Sequence, residues 1–253
     1  MNTATAHPTP KPAKDRIIVA LDVPTPTDAI SIVEELSGSV GAFKVGLQLF
    51  TSAGRDFVGK LVNTGSRIFL DLKFHDIPNT VARASVEAAR LGVWMFNVHA
   101  SGGGEMMRQA VDEVTEACER EGINRPLIIA VTVLTSSNDD TLKEIGIVNE
   151  TQPQVLKLAE LTAECGLDGV VASPLEIEPI RARIASKEFV IVTPGIRPAS
   201  ATKDDQKRVM TPAEAVQVGA DHLVIGRPIT SARDRLKAVE QIVEEITSGN
   251  YPS

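Results

Sequence analysis

Residues 67–80 read RIFLDLKFHDIPNT. Ile68, Phe69 and Leu70 are apolar and strand-prone, and then charge enters at every second position, as Asp71 and Lys73, with Leu72 between them. A strand sends alternate side chains to opposite faces, so Asp71 and Lys73 share one face while Leu70 and Leu72 share the other. A run that is apolar throughout at its start and charged on one face at its end predicts a parallel strand buried on both sides, with its C-terminal end opening on a site.

Seven further runs of similar character surround it, at Ile17–Asp22, Ala42–Gly46, Trp94–His99, Leu127–Leu134, Gly169–Ser173, Phe189–Pro194 and His222–Gly226. Between them lie segments with helical spacing. Asp28–Leu36 carries Ala29, Ile32, Val33 and Leu36 on one side, and Thr80–Leu91 carries Val81, Ala84, Ala88 and Leu91. Gly92, Gly166 and Gly219 stand where helices should stop, and Leu236–Ile246 reads as a closing helix. Eight strand–helix units in a chain of 253 residues predict a single (β/α)8 TIM barrel, a fold of typically about 250 residues. An open doubly wound sheet is the weaker alternative, because no GxGxxG turn follows the first strand. No linker divides the chain. The opening MNTATAHPTPKPAK is polar and proline-rich, so residues 1–14 are expected to be a flexible tail and residues 15–253 the catalytic barrel.

Composition narrows the partners. Lys plus Arg total 26 and Asp plus Glu 33, a net charge of −7, which is the wrong sign for a phosphate-backbone binder and argues against nucleic acid. The N-terminus lacks an apolar signal core, and no apolar run reaches the ~18 residues of a membrane span, so a cytoplasmic protein with no membrane partner is expected. Cys118 and Cys165 are the two cysteines, without paired metal-ligand spacing, so neither a disulfide framework nor a thiolate metal site is expected. His75 and His99 lack the carboxylate frame of a metal centre.

Two constellations carry chemistry. In a barrel, reacting groups sit at the C-terminal ends of strands. Lys44 in the second run can reach Asp71 and Lys73 in the third, and Asp76 follows closely, so Lys44, Asp71, Lys73 and Asp76 would alternate in sign and keep one another ionised. Buried ion pairs seldom add stability over apolar packing, so such an array at a barrel mouth points to function. The second constellation closes the chain. The seventh run exits as Pro194-Gly195-Ile196-Arg197 and the eighth as Gly226-Arg227-Pro228, the two loops where this fold holds phosphate. Glycine allows close backbone approach, and Arg227 offers a planar fork of donors. The polar loop 196–211 between them reads as a lid, and Gln206 on it could donate to the phosphate. Thr135, after the fifth run, offers a hydroxyl to a heterocycle's polar edge.

The run Asp71-Leu72-Lys73-Phe74-His75-Asp76-Ile77-Pro78-Asn79-Thr80 resembles the DxKxxDIxxT signature of the orotidine 5′-phosphate decarboxylase family. Asp22 and Lys44 stand where that family has its upstream acid and base, and Thr135, the Pro194–Arg197 turn, Asp205-Gln206 and Gly226-Arg227 follow in the matching order. The resemblance runs from about Arg16 to the chain end. It implies decarboxylation of orotidine 5′-phosphate to UMP and CO2, the last step of de novo pyrimidine synthesis, without a cofactor or a metal. It also implies a homodimer with shared sites, in which Asp76 and Thr80 reach into the partner's site, Asp22 and Lys44 contact ribose, and Gln206, Gly226 and Arg227 hold phosphate. Relatives on the same barrel share parts of the DxK pattern, among them a Mg²⁺-dependent sugar-phosphate decarboxylase and an aldolase-type synthase, and they are the alternative. A non-catalytic phosphate-ligand sensor would have lost the charged array.

Overall fold

The computed structural model describes residues 11–198 and 210–249. Eight parallel strands close on themselves in sequence order: β1 Ile17–Ala20, β2 Ala42–Gly46, β3 Ile68–Phe74, β4 Met95–His99, β5 Leu127–Val131, β6 Gly169–Val171, β7 Val190–Pro194 and β8 His222–Ile225. Closure is made by β8 lying beside β1, with Ile17 opposite Leu223 and Val19 opposite Ile225. The expected (β/α)8 barrel is therefore present, and every expected run supplies its strand, mostly trimmed by one to three residues at an end. Trimming is greatest after β5, where Val133 and Leu134 have left the ladder and turned into the exit loop.

The helices among the described residues are α1 Pro26–Leu36, α2 Leu47–Asn63, α3 Pro78–Arg90, α4 Gly104–Glu121, α5 Asp139–Glu144, α6 Thr151–Glu164, α7 Ile177–Arg183, α8 Pro212–Gln217, α9 Arg227–Thr230 and α10 Arg235–Ser248. Their starts follow local chemistry. Thr25 accepts a hydrogen bond from the Asp28 N–H ahead of Pro26, Thr211 and Glu214 cap each other's orphan donors, and Asp234 accepts from Lys237 N–H. No helix among the described residues is long and apolar enough to cross a membrane.

Alternation along the strands divides the core in two. Ile18, Ala20, Ala42, Phe69, Met95, Ile129, Val192 and Val224 fill the barrel axis. The residues that alternate with them, Ile17, Val19, Phe43, Val45, Ile68, Leu70, Phe96 and Val98, pack outward under the helices. Phe69 is axial and Leu70 is not, which places Asp71 on the axial face, as the alternation predicts. At Gly169 a Cβ would meet the Val190 carbonyl oxygen at 2.1 Å, so only glycine lets β6 approach β7 there.

The lower rim is tied by a repeated device. Gly166-Leu167-Asp168 precedes β6 and Gly219-Ala220-Asp221 precedes β8. Asp168 accepts the Ile128 N–H at 2.7 Å and pairs with Arg125 at 2.9 Å. Asp221 accepts the Ile191 N–H at 2.8 Å and pairs with Arg181, which also donates to the Phe189 carbonyl just before β7. Lys11 closes the floor by donating to His222 Nε2 at 2.8 Å, and Ala13–Arg16 forms a 3-10 turn. Residues 11–14, expected in the tail, thus have defined positions under the barrel. Residues 1–10 of the tail lie outside the described residues.

Candidate active site

β3 does not reach its end as a flat strand. The register against β4 shifts between Leu70 and Phe74, and Lys73 has φ 55°, the one positive value at a non-glycine position among the described residues. The left-handed region costs an L-residue about 1–2 kcal/mol, so something must hold it. The Lys73 N–H donates to Asn97 Oδ1 at 2.8 Å, where a ladder bond to β4 would have been. Strand alternation alone was expected to bring Lys73 beside Asp71; the bulge does so instead.

From this bulge the Lys73 ammonium donates to Asp71 Oδ1 at 2.6 Å. Asn97 Nδ2 donates to the same oxygen at 2.7 Å, and Lys44 Nζ lies 3.3 Å from Oδ2. Lys44 also reaches Asp22 Oδ1 at 3.1 Å, so the order is Asp22–Lys44–Asp71–Lys73, alternating in sign. Gly46 makes room for this. A Cβ there would come within 3.1 Å of Lys44 Nζ. Burial pushes the Asp71 carboxyl pKa up, but the charges of Lys44 and Lys73 and the hydrogen bonds from Lys73 and Asn97 outweigh it and leave the group below its ordinary value. Asp71 is therefore a carboxylate at neutral pH. Lys73 uses one of its three N–H bonds on Asp71 and lines an open cavity with the rest of its head.

That cavity, about 1020 Å³, opens at the C-terminal ends of the strands. Its floor is apolar, with Ala20, Phe69, Val131, Val171 and Val224. Asp22, Lys44, Asp71, Lys73, Thr135, Arg197, Gly226 and Arg227 all line it, so eight of the expected site residues come together. The Arg227 side is opposite in chain order to the ion array but shares the cavity with it, an arrangement suited to an elongated ligand with an anionic end. The base of the expected lid is closed by an Ile196–Met210 bridge and by the Arg197 N–H on the Met210 carbonyl. Gln206 and Asp205 lie outside the described residues.

Asp76 and Thr80 do not join this cavity within one chain. Asp76 is exposed, accepts the Ile77 N–H at 2.6 Å, and lines a separate shallow depression with His75, Pro78, Ser101 and Gly102. Thr80 is exposed in the first turn of α3. Of the expected set Lys44, Asp71, Lys73 and Asp76, the first three come together within one chain, and Asp22 rather than Asp76 is the fourth member of the array. Sequence reading missed Asn97. It stands between apolar neighbours in β4, and its partners are 24 and 26 residues away, so no local pattern marks it.

A family model described as orotidine 5′-phosphate decarboxylase / HUMPS family matches residues 15–242. The chain belongs to that family. Among members of the orotidine 5′-phosphate decarboxylase / HUMPS family, the orotidine 5′-phosphate decarboxylase of Trichlorobacter lovleyi is 56% identical over 238 residues, 94% of this chain and 97% of that protein. The one from Geotalea uraniireducens is 53% identical over 92% of this chain and 96% of its own length. A crystal structure of orotidine 5′-phosphate decarboxylase from Lactobacillus acidophilus superposes with a TM-score of 0.81 at 41% identity, covering 91% of this chain and 98% of that one.

Proposed function

We infer that this chain decarboxylates orotidine 5′-phosphate to UMP and CO2, closing pyrimidine nucleotide synthesis, and that the Asp22–Lys44–Asp71–Lys73 array performs the chemistry. The observation that carries the reading is the Lys44–Asp71–Lys73 contact at the mouth of a barrel, in a cavity that Gly226 and Arg227 also line. Loss of CO2 breaks the C6–carboxyl bond and leaves its electron pair on C6, in a ring that offers no adjacent electron sink. A preorganised cation is the remaining stabiliser. Lys73 faces the cavity, balances charge developing at C6, and delivers its proton there; water later returns one to the amine. Asp71, held ionised by two lysines, lies where the leaving carboxylate would sit and keeps Lys73 aimed. Lys44 and Asp22 take ribose hydroxyls. Arg227, Gly226 and the Arg197 turn, with Gln206 from the lid, take the phosphate, so that binding energy remote from C6 serves the reaction.

The same reading assigns a homodimer with shared sites in the cytoplasm. A carboxylate and a hydroxyl that lie outside their own chain's cavity fit a site completed by a second copy, and Ile77, 65% exposed between them in sequence, offers apolar area for the contact. Mixing Lys73→Ala with Asp76→Ala subunits, each inactive alone, should restore activity, because one hybrid site then draws both residues from unmutated copies. No recovery under proven subunit exchange removes the shared site.

The direct test is loss of orotate absorbance when purified protein meets orotidine 5′-phosphate in EDTA. Turnover that needs added Mg²⁺, or activity only on sugar-acid phosphates, favours the metal-dependent branch of the barrel superfamily instead.

A further inference from the structure

We propose that Asn97 is a positioning residue for Lys73, fixing through its side-chain amide both the bulge that presents the lysine and the carboxylate oxygen that receives it. The proposal rests on the decarboxylase reading and adds a residue to it.

Asn97 is 1% exposed on the axial face of β4, in the layer above Met95, in register with Ile129 and beside Asp71 of β3. A buried primary amide is costly unless both its ends are paired. Here each end has a partner, and both partners belong to the array. Oδ1 accepts the Lys73 N–H, and Nδ2 donates to Asp71 Oδ1. The orientation of the amide follows from those partners, since a backbone N–H needs an acceptor and a carboxylate needs a donor. Asparagine supplies both at this length. Aspartate loses the donor, leucine loses both, and glutamine is one methylene longer.

The geometry gives this amide two tasks. It replaces the backbone acceptor that β4 no longer offers where the register slips, so the left-handed Lys73 has a fixed amide. It also shares Asp71 Oδ1 with the Lys73 ammonium, leaving Oδ2 toward Lys44. The carboxylate cannot rotate without breaking a bond to one of three donors. An anionic substrate group brought near Asp71 would push it away, and Asn97 resists that push from the side opposite the cavity mouth. Asn97 acts through these neighbours and does not line the cavity itself.

The charged and titratable groups around the amide are Asp71, Lys73 and His75 from β3 and its exit, Lys44 and Asp22 from β2 and the end of β1, and His99 two residues along β4. β5 contributes none. His99 is held below its ordinary pKa by burial, then by His75 and Lys73.

Three measurements on the full-length enzyme test this. Asn97→Ala should lower kcat for orotidine 5′-phosphate about 30- to 1,000-fold, for the loss of one charge-assisted and one backbone hydrogen bond, while the Kd for UMP changes less than about threefold. In a Lys73→Ala background the same change should cost less than about threefold, since the group it positions is gone. Asn97→Asp matches the volume. Its new carboxyl, when protonated, donates to Asp71 as the amide did, and when ionised it repels Asp71. Its kcat should therefore fall with rising pH at a lower pH than wild type, with an apparent pKa that belongs to the carboxyl pair. The proposal is overturned if kcat of Asn97→Ala stays within threefold of wild type, if kcat and UMP affinity fall together, if the losses add in the double variant, or if Asn97→Asp keeps the wild-type profile. Should neither variant fold, Asn97 is a structural amide and the proposal also fails. A wild-type protein inactive on orotidine 5′-phosphate defeats the functional reading itself, before any variant is made.

Discussion

The two rims of the barrel use the same residue types to opposite ends. At the lower rim Asp168 and Asp221 each accept a backbone N–H from the neighbouring strand and are closed off by an arginine. The arginines also donate to main-chain carbonyls, Arg125 to Pro126 and Arg181 to Phe189 and Gly219. At the upper rim Asp71 also takes several donors, but the lysines that supply them line an open cavity, and one of them sits on strained backbone. A carboxylate that joins a strand N–H to an arginine tied to main-chain carbonyls strengthens the strand ladder. A carboxylate gripping cations that line a cavity holds those cations ready for something else. The comparison teaches where to look for function: in charges whose partners leave donors unspent.

The sharpest way to break this comparison is to treat both rims alike. Lys73→Ala should cost at least about 10³-fold in kcat while UMP binding partly survives, because it removes both the proton donor and the charge facing C6. Stability should hardly suffer. Lys73→Gly, equally inactive, should be about 1 kcal/mol more stable than Lys73→Ala by urea melt, since glycine takes φ 55° without strain. A Lys73→Ala enzyme keeping a tenth of wild-type turnover would end the catalytic assignment.

Arg227→Ala comes next. It should lower kcat/KM for orotidine 5′-phosphate roughly 30- to several-thousand-fold, from the ~2–5 kcal/mol typical of truncating one partner of a desolvated charge pair. The dephosphorylated nucleoside should be a poor substrate for wild type and hardly poorer for the variant. An equal penalty on both substrates would make Arg227 a rim-stabilising residue, with Arg197 the next candidate for phosphate.

The lower rim should answer in stability alone. Asp221→Ala leaves Arg181 without its carboxylate and the Ile191 N–H without its acceptor, at about 2–4 kcal/mol in a urea melt. Its kcat should stay within threefold of wild type. A large loss of kcat at unchanged stability would erase the distinction between the rims.

An effect that shows only as the pH is lowered belongs to His222. Burial, and then the charges of Lys11, Arg16 and Arg67, pull its pKa from 6.5 to about 3. Its contribution to stability is therefore complete above about pH 6.5 and is lost as pH falls from there toward 3, where the unfolded chain binds a proton that the native chain refuses. The slope is up to ~1.4 kcal/mol per pH unit. His222→Gln should flatten the dependence of the urea midpoint on pH between about 6 and 4, and an unchanged slope would place the acid sensitivity elsewhere.

Much of this was legible in the chain. Ile17–Ala20, Leu127–Val131 and the Val190-Ile191-Val192 run announce buried parallel strands by continuous apolar residues, and eight strand-like runs leave few ways to close a sheet. Asp71 could be placed on the axial face because a period of two needs no tertiary information. Strand ends were less legible, since Val133 and Leu134 are as apolar as the residues that stay in the ladder. The flat strand expected through Lys73 was not what formed, because a bulge depends on what the neighbouring strand offers, and β4 offers Asn97.

The sequence by itself determined which residues are buried, which strands carry charge at their C-terminal ends, and, through the DxKxxDIxxT run, which family the chain resembles. These are properties of spacing along one chain, and hydrophobic burial reads spacing. The tertiary structure alone decided that Asp22 closes the array within one chain, that Asp76 and Thr80 stand outside it, and that Asn97 sits behind Asp71 and Lys73. Those are contacts between residues from 2 to 26 positions apart whose distances are set by strand register and barrel closure. Hydrogen bonds and ion pairs act over about 3 Å, so a shift of one residue in register would make or abolish each of them.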